Sequence, residues 1–476
     1  MKKIISAILC LALVCITLVA CGNSESDTSS APAANTSTPA GETSVPASDN
    51  STPAPETSEA EVEENGPFGF AGEKPLADCG TVDYTASDIT LTGDVSAVKI
   101  GVILVGDETE GYTKAHMDGI KAAAAALGIN SNQIIWKYTV GESDAVTTAG
   151  NQLINDGCTY IFSNSYGHQS YMADLAMTYP DVHFVAMTGD TAASDNLSNF
   201  SNAFTAVYES RYVSGVVAGL KLAELIKEGK VSDKNKDGDN IRIGYVGAYN
   251  YAEVVSGYTA FYLGIKSVVE NVVMDVYYTY SWFDFDAEKA AAEYLINRGC
   301  IIIGQHADSA GAPTAVEEAY KKGTVVYSVG YNVSMLDACP DAALTSASNN
   351  WQVYYQYAFA CAINGQDIAT NWAAGYKKGA VNITELGTAC AEGTAAKVEE
   401  TIDKINTGDI KVFDTSKFTV DGKSVAWAYA SDTNGDWTND ANNVISDGQF
   451  HESYVQSAPA FSIRIDGITE LNPPEY

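Results

Sequence analysis

Two stretches of the chain decide the fold, LINDGCTYIF at residues 153–162 and LINRGCIII at residues 295–303. Each contains the end of an apolar helix, a glycine that stops the helix, and a short apolar run typical of a buried strand. The two stretches are about 142 residues apart. Because this period is too long for a solenoid, the duplication predicts two similar lobes.

The similarity extends to the segments on either side of these stretches. The further pairs are KIGV at 99–102 with RIGY at 242–245, GIK at 119–121 with GIK at 264–266, and FVAM at 184–187 with VVYS at 325–328. Both halves therefore follow the order strand, helix, strand, helix, strand. This order predicts an α/β protein of two Rossmann-like lobes, with parallel sheets covered by helices and joined by a hinge.

Two hinged lobes leave a cleft, and in open α/β sheets a ligand binds beyond the carboxyl ends of the strands. Five loops are expected there, at residues 106–113, 163–168, 249–253, 305–309 and 330–332. Their aromatic and hydrogen-bonding side chains suit a flat heterocycle, stacked between rings and paired along its polar edge. A sugar suits the same loops, whereas a phosphate suits them poorly.

The second strand of the second lobe ends in SWFD at 281–284, which adds an aromatic candidate to these loops. For every aromatic side chain, packing in a core or at the hinge is the alternative. The candidate ligand-binding residues are Asp107, Tyr112, Ser165, Tyr166, Gly167, Tyr249, Glu253, Trp282, Asp284, His306, Asp308 and Asn332.

The N-terminus is typical of an exported lipoprotein. A positively charged start, an apolar run from Ile4 and LVAC at 18–21 predict that residues 1–21 are a signal peptide, with Cys21 as the lipidation site. The run is short for a membrane-spanning helix, which needs about 20 apolar residues, although an uncleaved anchor helix is the alternative. We therefore expect a protein on the outer face of the cell membrane, anchored by its N-terminal lipid.

The rest of the chain divides by composition. Residues 22–66 are rich in Ser, Thr and Pro and contain few large apolar side chains, which predicts a disordered tether. The remaining sequence is long enough for two cores of ordinary size. The expected segments are a first lobe at 67–240, a second lobe at 241–345, a helical return segment bracing the first lobe at 346–410, and a β-rich C-terminal segment at 411–476.

Charge and motif content exclude several classes of function. The formal net charge of −33 repels phosphate backbones, so no nucleic-acid partner is expected. The sequence has no HExxH, GxSxG or CxxC motif, and no enzyme activity, cofactor or metal is expected. The acidic run at 233–239 begins like a calcium loop, but Gly244 stands where the final Glu belongs, which favours a solvated turn over a metal site.

From about residue 99 to residue 360, the chain resembles the basic membrane protein family of lipoprotein substrate-binding proteins, which includes purine nucleoside receptors of ABC transporters. This resemblance implies the type I periplasmic binding protein fold, a purine stacked between aromatic rings of the two lobes, and an ABC permease as partner. The stretches that carry it are FSNSYGH at 162–168, YPDVHF at 179–184, RYVSGVVAG at 211–219, EV at 253–254, SWFD at 281–284 and QHADS at 305–309.

Two positions depart from the family pattern. Tyr112 stands where the family's stacking Phe lies, but Thr113 follows where the family has Asn. Asn332 occupies the place of an Asp that holds ribose hydroxyls in nucleoside binders, and a neutral amide loses a charge-assisted bond about twice as strong as its own. The resemblance thus implies a purine base, with the nucleoside as alternative. A ligand-sensing lipoprotein, a sugar-binding protein and a surface hydrolase on this scaffold stay open.

Overall fold

The structure is a computed structural model that describes residues 81–429 and 443–474. The predicted signal peptide, the lipidation site Cys21 and the predicted tether lie outside the described residues. None of the helices within the described ranges is long and apolar enough to cross a membrane.

The strands are mostly short apolar runs, buried on both faces as expected where helices cover a parallel sheet. They are β1 (Ile100–Ile103), β2 (Ile134–Lys137), β3 (Tyr160–Ser163), β4 (His183–Met187), β5 (Phe200–Thr205), β6 (Lys236–Asp237), β7 (Asn240–Gly247), β8 (Val272–Tyr278), β9 (Ile302–Gln305), β10 (Tyr327–Tyr331), β11 (Ala343–Asn349), β12 (Asn371–Ala374), β13 (Val381–Ile383), β14 (Ile445–Ser446), β15 (Gln449–Phe450) and β16 (Ile468–Glu470).

Helices connect most of the parallel strands, and several end at a glycine with left-handed backbone, as the sequence predicts. They are α1 (Gly111–Leu127), α2 (Ala145–Asn155), α3 (Gln169–Thr178), α4 (Ala192–Asp195), α5 (Val207–Lys227), α6 (Ala252–Lys266), α7 (Phe285–Asn297), α8 (Gly311–Lys321), α9 (Trp351–Asn364) and α10 (Thr394–Thr407).

The two main sheets share one strand order. The first runs β2-β1-β3-β4-β5, with β12 added beside β5, and the second runs β8-β7-β9-β10-β11, with β16 and β13 at its edges. The registers also agree, since Gly101 pairs with Ile161 in the first sheet and Gly244 pairs with Ile303 in the second. The predicted α/β fold with duplicated parallel sheets is confirmed.

Each lobe receives a helix from the other half of the chain. Helix α5 follows β5 of the first sheet but packs against α6 in the core of the second lobe, and α9 follows β11 of the second sheet but packs against α1 in the first lobe. The boundary expected at residue 240 puts α5 in the first lobe, whereas the structure puts it in the second. Because α5 is buried nearly all round, its sequence does not indicate which sheet it covers.

The C-terminal segment is mostly irregular chain in its described parts. Strand β16 extends the second sheet in parallel with β8, and Phe413 and Phe461 stack in the second core with ring centroids 4.3 Å apart. The same segment reaches the first lobe, where Ser457 donates through its backbone N–H to Asn371 Oδ1 (3.3 Å) and through Oγ to the Gly189 carbonyl (3.3 Å). It therefore contacts both lobes.

Candidate ligand-binding cleft

A cavity of about 360 Å³, counting its solvent-filled mouth, lies between the two lobes beyond the carboxyl ends of their strands. This is the position that the strand order predicts for a ligand. The first lobe lines it with Val105, Glu110, Tyr112, Asn164, Ser165, Tyr166 and Thr188, and the second lobe lines it with Glu253, Trp282, His306, Asp308 and Tyr331.

More than half of the candidate residues line this cavity. They come from the ends of different strands and the first turns of the helices that follow, so only the fold brings them together. The seven are Tyr112, Ser165, Tyr166, Glu253, Trp282, His306 and Asp308.

Three other candidates lie beside the cavity. Asp107 and Tyr249 line an adjoining, more open space that shares Trp282 with the cavity. The Asp107 carboxylate is engaged within its own turn, where it accepts from the backbone N–H and the hydroxyl of Thr109. The backbone N–H of Gly167 donates to Glu142 Oε1 (3.0 Å).

The last two candidates lie outside the cavity lining. Asp284 is the N-cap of α7 and accepts from the backbone N–H of Ala287 (2.9 Å), which is a common role for an aspartate just before a helix. Asn332 lies behind Asp308, and its Nδ2 donates to Asp308 Oδ1 (2.6 Å). Its Oδ1 accepts from Asn349 Nδ2 (3.0 Å), so both ends of the amide are engaged by protein.

Four polar or aromatic residues of the lining are absent from the candidate set. Glu110, Asn164 and Tyr331 belong to the expected cleft loops, but the position of a loop does not predict which of its side chains point into the cleft. Thr188 directly follows β4, so applying the strand-end rule to that strand would have found it. It has a left-handed backbone (φ 61°), as does Asn332 (φ 62°) at the equivalent place after β10.

A buried chain of contacts from Arg211 holds the second-lobe wall. Arg211 Nη1 donates to the Gln305 carbonyl (2.6 Å), and its guanidinium carbon lies 3.5 Å from the Tyr331 ring centroid. Arg211 Nη2 lies 3.2 Å from His306 Nδ1, and His306 Nε2 lies 3.2 Å from Glu253 Oε1. Because a guanidinium only donates, Nδ1 accepts, and the ring proton lies on Nε2 facing Glu253.

The electrostatics agree with this tautomer. Burial, together with the Arg211 charge, lowers the pKa of His306 to about 4, so the imidazole is neutral near pH 7. Burial also raises the pKa of Asp308 well above its usual range, and the nearby carboxyls of Glu110, Glu288 and Glu253 act in the same direction. Burial likewise raises the pKa of Glu110.

The walls of the cleft are aromatic on both sides. Trp282 packs edge-on against Tyr249, with ring centroids 5.0 Å apart, and Tyr166 of the first lobe lies 6.2 Å from Tyr251 of the second. The lobes also touch through the backbone, since Gly111 N–H donates to the Asp308 carbonyl (3.3 Å). The structure therefore has the cleft nearly closed.

Comparison with known proteins agrees with this geometry. Residues 97–416 match the family described as PnrA-like ABC transporter substrate-binding proteins. The chain belongs to this family. As a PnrA-like substrate-binding protein it is a non-enzymatic binder of a small molecule, and its family implies an extracytoplasmic location and a permease partner.

Individual relatives cover most of the chain. It is 30% identical over 323 residues to a purine-binding protein of Brucella abortus strain 2308, a match that covers 66% of this chain and 83% of the relative. It is 29% identical over 258 residues to a putative ABC transporter glucose-binding protein of Haloferax volcanii, covering 54% of this chain and 60% of that protein.

Solved structures support the fold. An ABC transporter solute-binding protein from Aeropyrum pernix K1 superposes with a TM-score of 0.56 at 17% identity, covering 66% of this chain and 93% of that one. This PnrA-like chain therefore has the periplasmic binding protein fold expected from its sequence.

Proposed function

We propose that this protein binds a purine base in the cleft between its lobes and delivers it to an ABC permease. The observation that carries the proposal is the cavity itself. Aromatic side chains from both lobes line it, with Tyr112 and Tyr166 on one side and Trp282 and Tyr331 on the other. Aromatic side chains on both walls suit one planar molecule stacked between them.

The position of the Asn332 side chain favours a purine base over a nucleoside as the ligand. Asn332 does not line the cavity, and its amide is held behind Asp308 by bonds to Asp308 and Asn349, so it does not face a ribose hydroxyl. The relative from Brucella abortus is described as purine-binding, which supports the purine class.

Calorimetry of the full chain, refolded to remove bound ligand, tests the proposal with purine bases, nucleosides and sugars. Tyr112→Ala and Trp282→Ala should each weaken purine binding by about 10- to 100-fold, because a base stacked on an aromatic ring gains roughly 1–3 kcal/mol. Tyr454→Ala is the matched control, since this ring is 55% exposed and lies outside the cavity lining. Unchanged purine affinity in both cavity variants would contradict the stacking arrangement.

A sugar is the second candidate ligand. The Haloferax volcanii relative is described as a putative glucose-binding protein, and aromatic rings beside carboxylates also suit sugar hydroxyls. Binding of glucose in the calorimeter, with no heat from any purine, would establish this alternative and exclude the purine.

We further propose that a lipid on Cys21 anchors the protein to the outer face of the cell membrane. The LVAC sequence at 18–21 supports this proposal. A Cys21→Ser variant should leave the membrane fraction of expressing cells, and its retention there would point to an uncleaved anchor helix instead.

A further inference from the structure

Three carboxyl groups in the cavity share one arrangement, in which the protein holds one oxygen and leaves the other without a partner among the described residues. Glu110 Oε2 accepts from Thr113 Oγ1 (2.5 Å), and Asp308 Oδ1 accepts from Asn332 Nδ2 (2.6 Å). Glu253 Oε1 faces the N–H of His306. The second oxygen of each group is therefore available to a ligand.

These groups stand on opposite walls. Glu110 is the N-cap residue of α1, and Glu253 lies in the first turn of α6, where a helix N-terminus favours negative charge. Glu110 lies nine positions after Gly101 of β1, and Glu253 lies nine positions after Gly244 of β7. The two glycines occupy equivalent positions, because each pairs with the corresponding isoleucine of the next strand in its own sheet. The duplication has thus placed one glutamate on each wall.

No lysine or arginine is among the residues that line the cavity within the described part of the chain. Arg211 is buried and does not line the cavity, and its guanidinium contacts His306 and Tyr331, which do. Burial favours the neutral acid forms of Asp308 and Glu110 by raising the pKa of each, so Glu253 is the group that offers an N–H donor of the ligand a charge-assisted partner.

We propose that Glu253 selects amino-substituted purines, whose exocyclic NH₂ group donates to its unpartnered carboxylate oxygen. The proposal rests on the proposed function and narrows its ligand class to bases such as adenine and guanine. Hypoxanthine keeps ring N–H groups but carries a carbonyl in place of the NH₂ of adenine, so it presents a lone pair to the Glu253 oxygen and binds more weakly. Phosphorylated purines are excluded by charge.

Glu253→Gln gives the sharpest test, because His306 determines how a glutamine would sit. The N–H of His306 needs an acceptor, so the glutamine carbonyl takes that place and its NH₂ faces the cavity. A donor then replaces an acceptor. The substitution should therefore reverse the ligand preference as well as weaken binding.

Calorimetry of the full chain with adenine, hypoxanthine and unsubstituted purine measures this reversal. The unmodified protein should bind adenine about 30-fold more tightly than hypoxanthine, since a hydrogen bond to a charged group is worth roughly 1.5–3 kcal/mol, or about 10- to 150-fold. Glu253→Gln should bring the two affinities level or favour hypoxanthine, with unsubstituted purine nearly unchanged.

Glu228→Gln is the matched control, because this glutamate lies on the surface and pairs with Lys230. Thermal melting of each variant, and of Glu253→Asp, separates a folding defect from a change in recognition. If the unmodified protein binds purines but shows no preference for adenine, or if Glu253→Gln weakens all three bases equally, the inference is wrong and the proposed function stands. If no purine binds to the unmodified protein, both fall.

Discussion

The two lobes have the same strand order but present different chemistry at equivalent places. After β3 of the first lobe, Asn164 accepts from the Val105 backbone N–H (2.8 Å) and donates to Thr113 Oγ1 (3.0 Å). This side chain is neutral, and both of its hydrogen bonds are to residues of its own lobe. After β9 of the second lobe, the equivalent His306 links a buried arginine to Glu253. Duplication thus preserved the scaffold, while the side chains that face the ligand diverged.

The lobes also differ in how closely their exchanged helices approach. A Cβ atom at Gly264 in α6 would lie 2.2 Å from the backbone oxygen of Tyr212 in α5. At the equivalent Gly119 in α1, the Cβ would lie 2.7 Å from the Trp351 side chain of α9. The repeated Gly-Ile-Lys sequence therefore marks a helix crossing in each lobe, with the tighter crossing in the second.

The largest expected effect concerns these crossings. Gly264→Ala should lower the free energy of unfolding by about 4 kcal/mol, above the usual 1–3 kcal/mol for overpacking, because the added methyl meets backbone that cannot rotate away. Gly119→Ala should cost about 2 kcal/mol, since its nearest obstacles, Trp351 Cβ at 2.7 Å and the Gln352 backbone nitrogen at 2.9 Å, lie farther from the added methyl. Urea unfolding measures both changes. Equal costs would show that the two crossings are equally tight.

A second expected difference is in the pH response of the two lobes. Burial raises the pKa of Glu452, which packs against α6 of the second lobe and accepts from Phe461 N–H (2.7 Å), to about 7. The folded protein therefore keeps this proton to a higher pH than the unfolded chain does. This proton stabilises the folded protein fully below pH 4.5, the ordinary pKa of a glutamate. The stabilisation, on the order of 3 kcal/mol, is lost as the pH rises through about 7.

Glu452→Gln should remove this loss, so the variant should gain stability relative to the unmodified protein between pH 5 and pH 8. In the first lobe, burial lowers the pKa of His116 well below its usual value of 6.5. The neutral ring of His116 therefore stabilises the folded protein above pH 6.5, and this stabilisation is lost as the pH falls below that value. His116→Gln should therefore change the acid side of the profile. Urea unfolding across this pH range measures both, and a Glu452→Gln profile parallel to the unmodified one would refute the assignment.

The smallest expected effect concerns two equivalent residues with left-handed backbone, Thr139 (φ 52°) after β2 and Tyr280 (φ 55°) after β8. Thr139→Asn should stabilise the protein by about 0.5–1 kcal/mol, because asparagine tolerates this conformation better than a β-branched residue. Tyr280→Asn should not, since its hydroxyl donates to the Asn472 carbonyl and its ring packs near Tyr278. Thermal melting distinguishes the two, and a gain at both sites would show that backbone strain alone matters there.

The architecture could be predicted from the sequence because the duplication is visible in runs such as LINDGC and LINRGC. The strand-end rule then found the cleft loops, and Tyr112, Trp282, His306 and Asp308 line the cavity as that rule suggests. The same rule places Asp284 in the cleft, yet Asp284 caps α7. The rule locates a loop but not the direction of each side chain, which depends on backbone dihedrals and on neighbours distant in the chain.

By itself, the sequence determined two α/β lobes, a cleft between them and an acidic, aromatic set of residues at its edges, because strand and helix periodicity and turn residues are local properties. Only the tertiary structure decided that α5 and α9 exchange lobes, and that Arg211 orients His306 toward Glu253. Only the structure, too, decided that three carboxyls from opposite walls each keep one oxygen for a ligand. These features depend on contacts between residues as much as a hundred or more positions apart, which no local pattern records.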